Sequence, residues 1–180
     1  YGDVNPSGKL PFSMARHEKD YPPFTPYAKN ITYGYYHGYT LFDKKKVEVA
    51  YPFGFGLSYT QFAFSELTIL EPTIGTEDTL RVRVTLSNTG AMAGAEVVQL
   101  YIGFQQSEVD RPVKLLRDFK KVYLEAGESQ IVELAVAAKD LAWYNPDHKA
   151  WEIEPMVHEL YVGSSAAPED LLTDQFSIRE

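Results

Sequence analysis

From residue 61 onward, apolar and polar side chains alternate along the chain with a period of two. The clearest stretch, residues 80–86, reads Leu-Arg-Val-Arg-Val-Thr-Leu. Because successive side chains of a β-strand point to opposite faces, this pattern predicts a half-buried strand with its polar face in solvent. An amphipathic helix would instead repeat its apolar residues every three or four positions.

Six further segments have the composition of strands and are separated by turn-forming residues. They are residues 62–69, 94–102, 115–124, 129–137, 157–163 and 174–179. The turn signals include Asn-Thr-Gly at 88–90, Ala-Gly-Glu at 126–128, Asn-Pro-Asp at 145–147 and Ser-Ser-Ala at 164–166. No stretch of helical length has a convincing amphipathic pattern. Seven short strands with turns between them predict a mainly β fold, an antiparallel sandwich.

Composition excludes several classes of function. With 180 residues, of which 44% are hydrophobic and 14% aromatic, the chain is long enough for one domain plus an appendage or for two small domains. Its net charge of -8 argues against nucleic acid and anionic membrane surfaces as partners. The lysines at 44–46 form the only basic run and are predicted to lie in a solvated turn. No apolar run is long enough for a membrane-spanning helix, and without cysteine there is neither a disulfide nor thiolate chemistry.

The N-terminal part of the chain, up to residue 60, lacks any hydrophobic period. A charged patch at 16–20 is followed by an aromatic, proline-rich stretch at 21–27. So long an irregular segment has no evident core of its own, and we expect its aromatic side chains to cover a neighbouring domain. The predicted division is therefore residues 1–60, ending in a connector, and an autonomous sandwich at residues 61–180.

The connector at residues 50–60 is uncharged, with aromatic residues between prolines and glycines. Pro52, Gly54 and Gly56 exclude a helix, and Phe53 and Phe55 require an apolar environment. We therefore predict a tightly packed connector. Its predicted interdomain packing residues are Phe53, Phe55 and Tyr59.

Several motifs resemble those of family 3 glycoside hydrolases. YPFGFGLSYT at 51–60 is similar to their PFGxGLSYT signature, and GDVNPSGKLP at 2–11 to their GxxNPSGKLP segment. NTG at 88–90, GAEVVQLY at 94–101, RPVKLL at 111–116 and YVGSS at 161–165 follow in the family order. The resemblance implies the end of an α/β sandwich domain followed by a fibronectin type III-like domain. Asp118 and Met156 depart from it, because the family commonly has glycine at both positions.

Residues 33–43 are similar to the family segment YxEGxxxGYRxFD, with Tyr33 in place of its Glu and Thr40 in place of its Arg. Aromatic rings commonly line sugar sites, so Tyr36 and His37 are predicted to lie next to substrate. Interdomain packing, in which tyrosine hydroxyls find partners, is the alternative for this segment.

No catalytic residue is predicted in this chain, because no two carboxylates occur in the arrangement that flanks a scissile glycosidic bond. His17, His37, His148 and His158 are too scattered for a metal site, and no cofactor is expected. Glu96 is predicted to be a structural carboxylate bonded to a loop or to Arg111. Trp143 and Trp151 suggest either packing at strand ends or a carbohydrate-binding pair.

The resemblance implies the C-terminal portion of a retaining β-glycosidase, in particular a β-glucosidase. An aspartate nucleophile in a barrel domain and a glutamate acid/base in the α/β sandwich would both lie outside this chain. The expected partners are then the remainder of the enzyme, as a separate or cleaved chain, and a β-glycoside; a homo-oligomer is compatible with the sequence. Periplasmic, secreted and cytoplasmic locations all stay open. The alternative is a free-standing β-sandwich that binds carbohydrate or protein, which the aromatic segment at 1–60 disfavours.

Overall fold

The computed structural model of the protein describes residues 2–23 and 25–179. Within them are one α-helix, three short 3-10 helices and twelve strands. In chain order the main elements are β1 (Met14–Ala15), α1 (Gly38–Lys45), β2 (Val49–Tyr51), β3 (Phe62–Ile69), β4 (Thr73–Gly75), β5 (Thr79–Asn88), β6 (Gly94–Gly103), β7 (Lys114–Leu124), β8 (Ser129–Ala137), β9 (Trp143–Asn145), β10 (Ala150–Glu152), β11 (Val157–Gly163) and β12 (Leu171–Arg179). The 3-10 helices are Glu18–Asp20, Ala138–Leu141 and Pro168–Asp170.

Two sheets form the sandwich. One has the strand order β3-β5-β8, and the other the order β4-β12-β11-β6-β7. Neighbouring strands are antiparallel except for the short β4, which runs parallel to β12. The predicted fold class, a mainly β antiparallel sandwich, is confirmed. Two small ribbons, β1-β2 and β9-β10, lie outside these sheets.

The core lies between the two sheets and is built from one face of each strand. Along β5, the four apolar side chains of the alternating stretch are fully buried, while Arg81 and Arg83 are exposed and pair with Glu133 on β8 at 3.3 and 3.0 Å. Alternation therefore determines which face is buried. Other core residues are Ile74, Val98, Leu100, Ile102, Val122, Leu124, Val132, Leu134, Val136, Leu160, Val162, Phe176 and Ile178.

β6 is buried on both faces. Val98 and Leu100 point into the core, whereas Gln99 and Tyr101 are buried on the outer face of the five-stranded sheet. Residues of the N-terminal segment contact this outer face: Tyr39 packs edge-on against Tyr101, with ring centroids 6.0 Å apart. The N-terminal segment is thus attached to the sandwich.

Asp118, one of the departures from the family pattern, lies at an irregularity of the sheet. The register between β6 and β7 shifts there, so that Asp118 faces Leu100 and Arg117 forms a β-bulge. One Asp118 carboxylate oxygen accepts a hydrogen bond of 2.9 Å from the backbone N of Ala135 on β8. The Asp118 side chain therefore occupies a backbone N–H group on the edge strand of the other sheet. That N–H group is then not available for pairing with another chain.

All seven predicted strands are present, and the additional elements are short. The structure adds α1, the short strands β4, β9 and β10, and the β1-β2 ribbon. The lysines at 44–46 are exposed, as predicted, but only Lys46 lies in a turn: Lys44 and Lys45 form the last turn of α1, and Lys46 ends the helix in the left-handed conformation with φ of 54°. Among the described residues, no helix is long and apolar enough to cross a membrane.

Candidate functional site

The connector lies across the outer face of the five-stranded sheet. Gly54 has φ of 83°, and a Cβ atom there would lie within 2.4 Å of the Gln99 side chain. The backbone N of Phe53 donates to Ser13 Oγ at 3.0 Å, and the backbone N of Ala166 donates to Phe53 O at 2.8 Å. The Phe53 backbone therefore connects the N-terminal segment to the sandwich.

A row of aromatic rings accompanies these hydrogen bonds. The half-buried Phe53 packs against Tyr39 with centroids 5.0 Å apart, and Phe55 against Tyr51 at 5.0 Å. Tyr59 is 59% exposed. The structure thus places Phe53 of the connector against Tyr39 of α1, while the interdomain role of Phe53, Phe55 and Tyr59 stays a prediction.

Asn5 holds the start of the segment against the end of the connector. Its Oδ1 accepts hydrogen bonds from Ser58 Oγ at 2.9 Å and from the backbone N of Tyr59 at 2.8 Å. Its Nδ2 donates to the carbonyl oxygen of Ala93, just before β6, at 2.9 Å. A single side chain thereby joins three parts of the chain.

Glu96 is a structural carboxylate, as expected, but its partner is not Arg111. It forms a nearly buried ion pair with Lys9 at 2.5 Å, which connects β6 to the N-terminal segment. Arg111 instead pairs with Glu154 at 3.1 Å and donates to Leu141 O at 2.7 Å. Lys9 lies in an irregular stretch far upstream in sequence, so strand patterns alone could not indicate this pair.

Tyr36 is bound to the loop between β6 and β7. Its hydroxyl donates to Asp110 Oδ1 at 2.6 Å, and Lys44 Nζ donates to the same carboxylate at 2.8 Å while lying 3.7 Å from the Tyr36 ring centroid. Burial and the Asp110 carboxylate raise the pKa of Tyr36, whereas the hydrogen bonds from Lys44 and Tyr36 lower the pKa of Asp110. This arrangement corresponds to the packing alternative, in which a tyrosine hydroxyl finds a partner.

His37 is the N-cap residue of α1 and its ring is exposed. Thr40 Oγ1 donates to the carbonyl oxygen of His37 at 2.8 Å, and His37 Nδ1 lies 3.3 Å from Tyr35 O. The backbone N of His37 also donates to Thr40 Oγ1 at 3.4 Å, so Thr40, where the family commonly has arginine, caps the start of the helix. A role for Tyr36 and His37 next to substrate stays a prediction.

Asp43 and Lys114 form an ion pair between α1 and the start of β7. Lys114 Nζ lies 2.7 Å from Asp43 Oδ2, and the Lys114 side chain is only 6% exposed. Burial raises the pKa of Asp43, against the opposing effect of Lys114. Beside this pair, the backbone N of Leu116 donates to the Tyr39 hydroxyl at 3.0 Å.

A cleft of about 930 Å³ lies between the segment from α1 to β2 and residues 166–173. Four carboxylates line it, and three of them are bound to other side chains: Asp43 to Lys114, Glu48 to Arg16 and Asp170 to Ser165. The fourth, Glu169, is exposed. Most acidic side chains of the cleft are therefore engaged in contacts with other side chains of the same chain. Within residues 2–23 and 25–179, no group of three or more His, Asp or Glu side chains could hold a metal ion.

Trp143 and Trp151 do not form a joint binding surface. In the β9-β10 ribbon, Trp151 faces Tyr144 and Trp143 faces Glu152. Trp151 is 72% exposed and packs edge-on against Tyr144 at 5.6 Å, while Trp143 is half-buried.

Exposed apolar side chains are concentrated in the N-terminal segment. Of the 18 large hydrophobic residues that are exposed in the described part of the chain, 11 lie before position 61. Tyr27 is 96% exposed, and Tyr33 and Tyr35 are 66% and 65% exposed. So much exposed aromatic surface in one segment is typical of an interaction face.

Two family models match the chain. The model of the glycosyl hydrolase family 3 C-terminal domain matches residues 1–59, and that of the fibronectin type III-like domain matches residues 96–166. The chain belongs to glycoside hydrolase family 3.

Relatives of this family 3 chain match it along nearly its whole length. Probable beta-glucosidase D of Emericella nidulans is 38% identical over 92% of the chain and 22% of its own length. Thermostable beta-glucosidase B of Acetivibrio thermocellus is 36% identical over 92% of the chain and 23% of its own length.

Solved structures show the same architecture. The Beta-D-glucoside glucohydrolase from Trichoderma reesei superposes with a TM-score of 0.87 and 31% identity, covering 99% of this chain and 27% of its own. Beta-glucosidase 3B from Thermotoga neapolitana, solved in complex with alpha-D-glucose, gives a TM-score of 0.83 and 37% identity over 99% of this chain and 25% of its own. The family 3 chain thus spans about a quarter of the length of these relatives.

Proposed function

We propose that this chain is the C-terminal portion of a retaining β-glycosidase, most simply a β-glucosidase, and that it stabilises the catalytic domains by packing against them. The whole enzyme would hydrolyse terminal β-linked sugars. The observation that carries the proposal is the match of 92–99% of the chain, in sequence and in structure, to proteins named as β-glucosidases or a glucohydrolase.

The chemistry would come from polypeptide outside this chain. Retaining glycosidases place two carboxyl groups about 5–5.5 Å apart, one as nucleophile and the other as acid/base, and react through a covalent glycosyl-enzyme. In the cleft of this chain, the carboxylates of Asp43 and Glu48 are already paired with Lys114 and Arg16. This supports a structural role for the acidic residues here and an upstream origin for the catalytic pair.

The sandwich would act by holding the end of the α/β domain in place. Asn5, Lys9 and Phe53 bond the N-terminal segment to the sandwich, while Tyr27 and Tyr33 of that segment are largely exposed. The expected partner of this aromatic face is the remainder of the same enzyme, as a separate or a cleaved chain.

An activity assay tests the proposal. The chain alone should give no turnover of aryl β-glucosides or β-xylosides above the uncatalysed rate, whereas the same chain joined to or mixed with its upstream polypeptide should hydrolyse them with retention, visible by NMR as a β-anomer formed first. Turnover by the chain alone that is abolished by Asp43→Asn or Glu169→Gln would contradict the assignment.

A free-standing binding module is the second candidate, and the exposed Trp151 is the observation that favours it. Titration of the chain with soluble β-glucans and with xylan distinguishes the two. Saturable binding that Trp151→Ala removes, together with inactivity in the presence of the upstream polypeptide, would support the module. If Trp151→Ala does not change the polysaccharide titration or the activity in the presence of the upstream polypeptide, the binding module is rejected.

A further inference from the structure

His158 is buried in the core of the sandwich. It lies on the inner face of β11 and is only 1% exposed. Its ring stacks on Phe176 of β12 at a centroid distance of 5.2 Å and an interplanar angle of 17°, and meets Phe104 edge-on at 5.6 Å. A neutral imidazole fits this aromatic setting as a flat, largely apolar ring.

The hydrogen bonds of the ring suit its neutral form. Nδ1 lies 3.3 Å from the carbonyl oxygen of Gly103, so it carries the proton and donates it there. Nε2 is buried and makes no well-aligned hydrogen bond among the described residues, although the Glu154 backbone lies close enough to favour the protonated ring. Protonation would add a second N–H donor and a positive charge at this position, and burying an unpaired charge is costly.

The charged groups near His158 or its neighbour Phe104 come from the loop before β7, from β7 itself and from the segment before β11. The guanidinium carbon of Arg111 lies 3.7 Å from the Phe104 ring centroid and that of Arg117 lies 5.9 Å from it. The Glu154 carboxylate is already paired with Arg111, so it is not a free counter-ion for a protonated His158. Burial, reinforced by Arg111, lowers the pKa of His158, while Gly103 and Glu154 oppose the shift.

We propose that His158 is a pH-sensitive switch of the sandwich, and that protonation of its ring opens the end formed by β6, β11 and the loop between β6 and β7. The switch is independent of the proposed glycosidase role. It rests on a buried ring between two aromatic neighbours, with a hydrogen bond to Gly103 O and with Arg111 over the ring of its neighbour Phe104.

Opening at this end affects the attachment of the N-terminal segment. The ladder between β6 and β11 ends where Leu160 faces Ile102, so His158 lies where β6 separates from β11 while still paired with β7. The loop that follows contains Asp110, which binds Tyr36 and Lys44. Acid should therefore loosen this loop and α1 together, ahead of the opposite sheet.

The direction of the pH effect follows from the lowered pKa. Because the unfolded chain has an ordinary histidine pKa of about 6.5, the contribution of neutral His158 to stability is fully present above that pH. It is lost as the pH falls from about 6.5 towards the pKa of the folded state. In that window the unfolded chain binds one more proton than the folded chain, so the unfolding equilibrium constant rises about tenfold for each unit by which the pH falls.

Urea unfolding of the full chain, followed by circular dichroism between pH 5 and 7.5, tests the switch. On acidification, we expect the unfolding constant to rise less steeply in His158→Asn and His158→Phe than in the wild type. The difference between the slopes should reach up to about a factor of ten per pH unit. His158→Asn keeps a donor near Gly103 O without a titratable ring, and His17→Gln, at an exposed histidine, is the control that should retain the wild-type slope. Equal slopes in all four proteins would overturn the proposal.

A measurement on the wild type covers the case in which neither His158 variant folds. In a histidine NMR titration, the His158 ring resonances should keep their neutral positions until the β6–β11 end opens. Hydrogen exchange should then lose protection in residues 100–113 and α1 before β5 and β8. Titration of the His158 ring with an ordinary histidine pKa in an intact fold would refute the switch.

Discussion

At the scale of single residues, Gly54 is the position where the backbone of the connector leaves no room for substitution. Its positive φ disfavours any L side chain, and the Gln99 amide that a Cβ would meet is itself engaged, because it accepts from the Tyr101 hydroxyl and donates to Ser164 O. We expect Gly54→Ala to lower the free energy of unfolding by roughly 2–4 kcal/mol, the sum of left-handed strain and a forced shift of Gln99.

Gly127 is the matched control for this prediction. Its φ is 78°, and nothing lies within 4 Å of a Cβ placed there. Gly127→Ala should therefore cost only the strain, about 1–2 kcal/mol, in urea unfolding. If both variants lose the same stability, the close approach between Gly54 and Gln99 does not matter.

Single residues also show where sequence reasoning stops. Gly54 of the connector packs closely against Gln99, whereas Leu57 and Tyr59 are exposed. The partner of Glu96 could not be predicted, because Lys9 lies on a segment without regular structure. One signal was available: Gln99 and Tyr101 lie on the face of β6 opposite Val98 and Leu100, and no residue from 97 to 103 is charged. An uncharged strand of this kind is typical of burial on both faces.

At the scale of elements, α1 depends on tertiary contacts more than on its own sequence. It is too short to be stable alone, and it begins with Gly38 at φ of 54°. Thr40 and Phe42 are buried, and Asp43 pairs with Lys114. A helical period cannot be recognised over so short a stretch, whereas the long strands of the sandwich display their period of two clearly.

The Asp43–Lys114 pair gives a prediction for this element. Asp43→Asn leaves the buried Lys114 ammonium without a counter-charge, so we expect a loss of about 3 kcal/mol in unfolding free energy. Burial raises the pKa of Asp43 even beside Lys114, so desolvation offsets much of the attraction. Replacing both residues, Asp43→Leu with Lys114→Met, should therefore be less destabilising than Asp43→Asn alone.

Asp110 provides the control, because it binds Lys44 of the same helix but is largely exposed. Asp110→Asn should change the melting temperature only slightly, since ion pairs in solvent contribute little. A double variant of Asp43 and Lys114 that is the least stable protein of the series would show that the buried pair stabilises the chain outright.

At the scale of the whole molecule, the period of two predicts the sandwich but not what lies on it. The outer face of the five-stranded sheet receives the connector and α1 through contacts between positions that are distant in sequence, such as Phe53 with Ser13 and with Ala166. No local pattern contains such pairings. The sequence motifs indicated that residues 1–60 pack against another surface, and part of that surface is the sandwich of the same chain.

Limited proteolysis tests how the N-terminal segment is held. Residues 25–35 are exposed and contain neither helix nor strand, while the flanking stretches bond to the sandwich through Asn5, Lys9 and Tyr36. Chymotrypsin should therefore cut first at Tyr27, Tyr33 or Tyr35. Because the contacts of Asn5 and Lys9 remain after this cut, the N-terminal fragment should elute with the sandwich in gel filtration. If the upstream polypeptide covers this aromatic face, its presence should slow the cut at least several-fold. A second early cut near residue 60 that releases residues 36–60 would mean that α1 and the connector are not bound to the sandwich in solution.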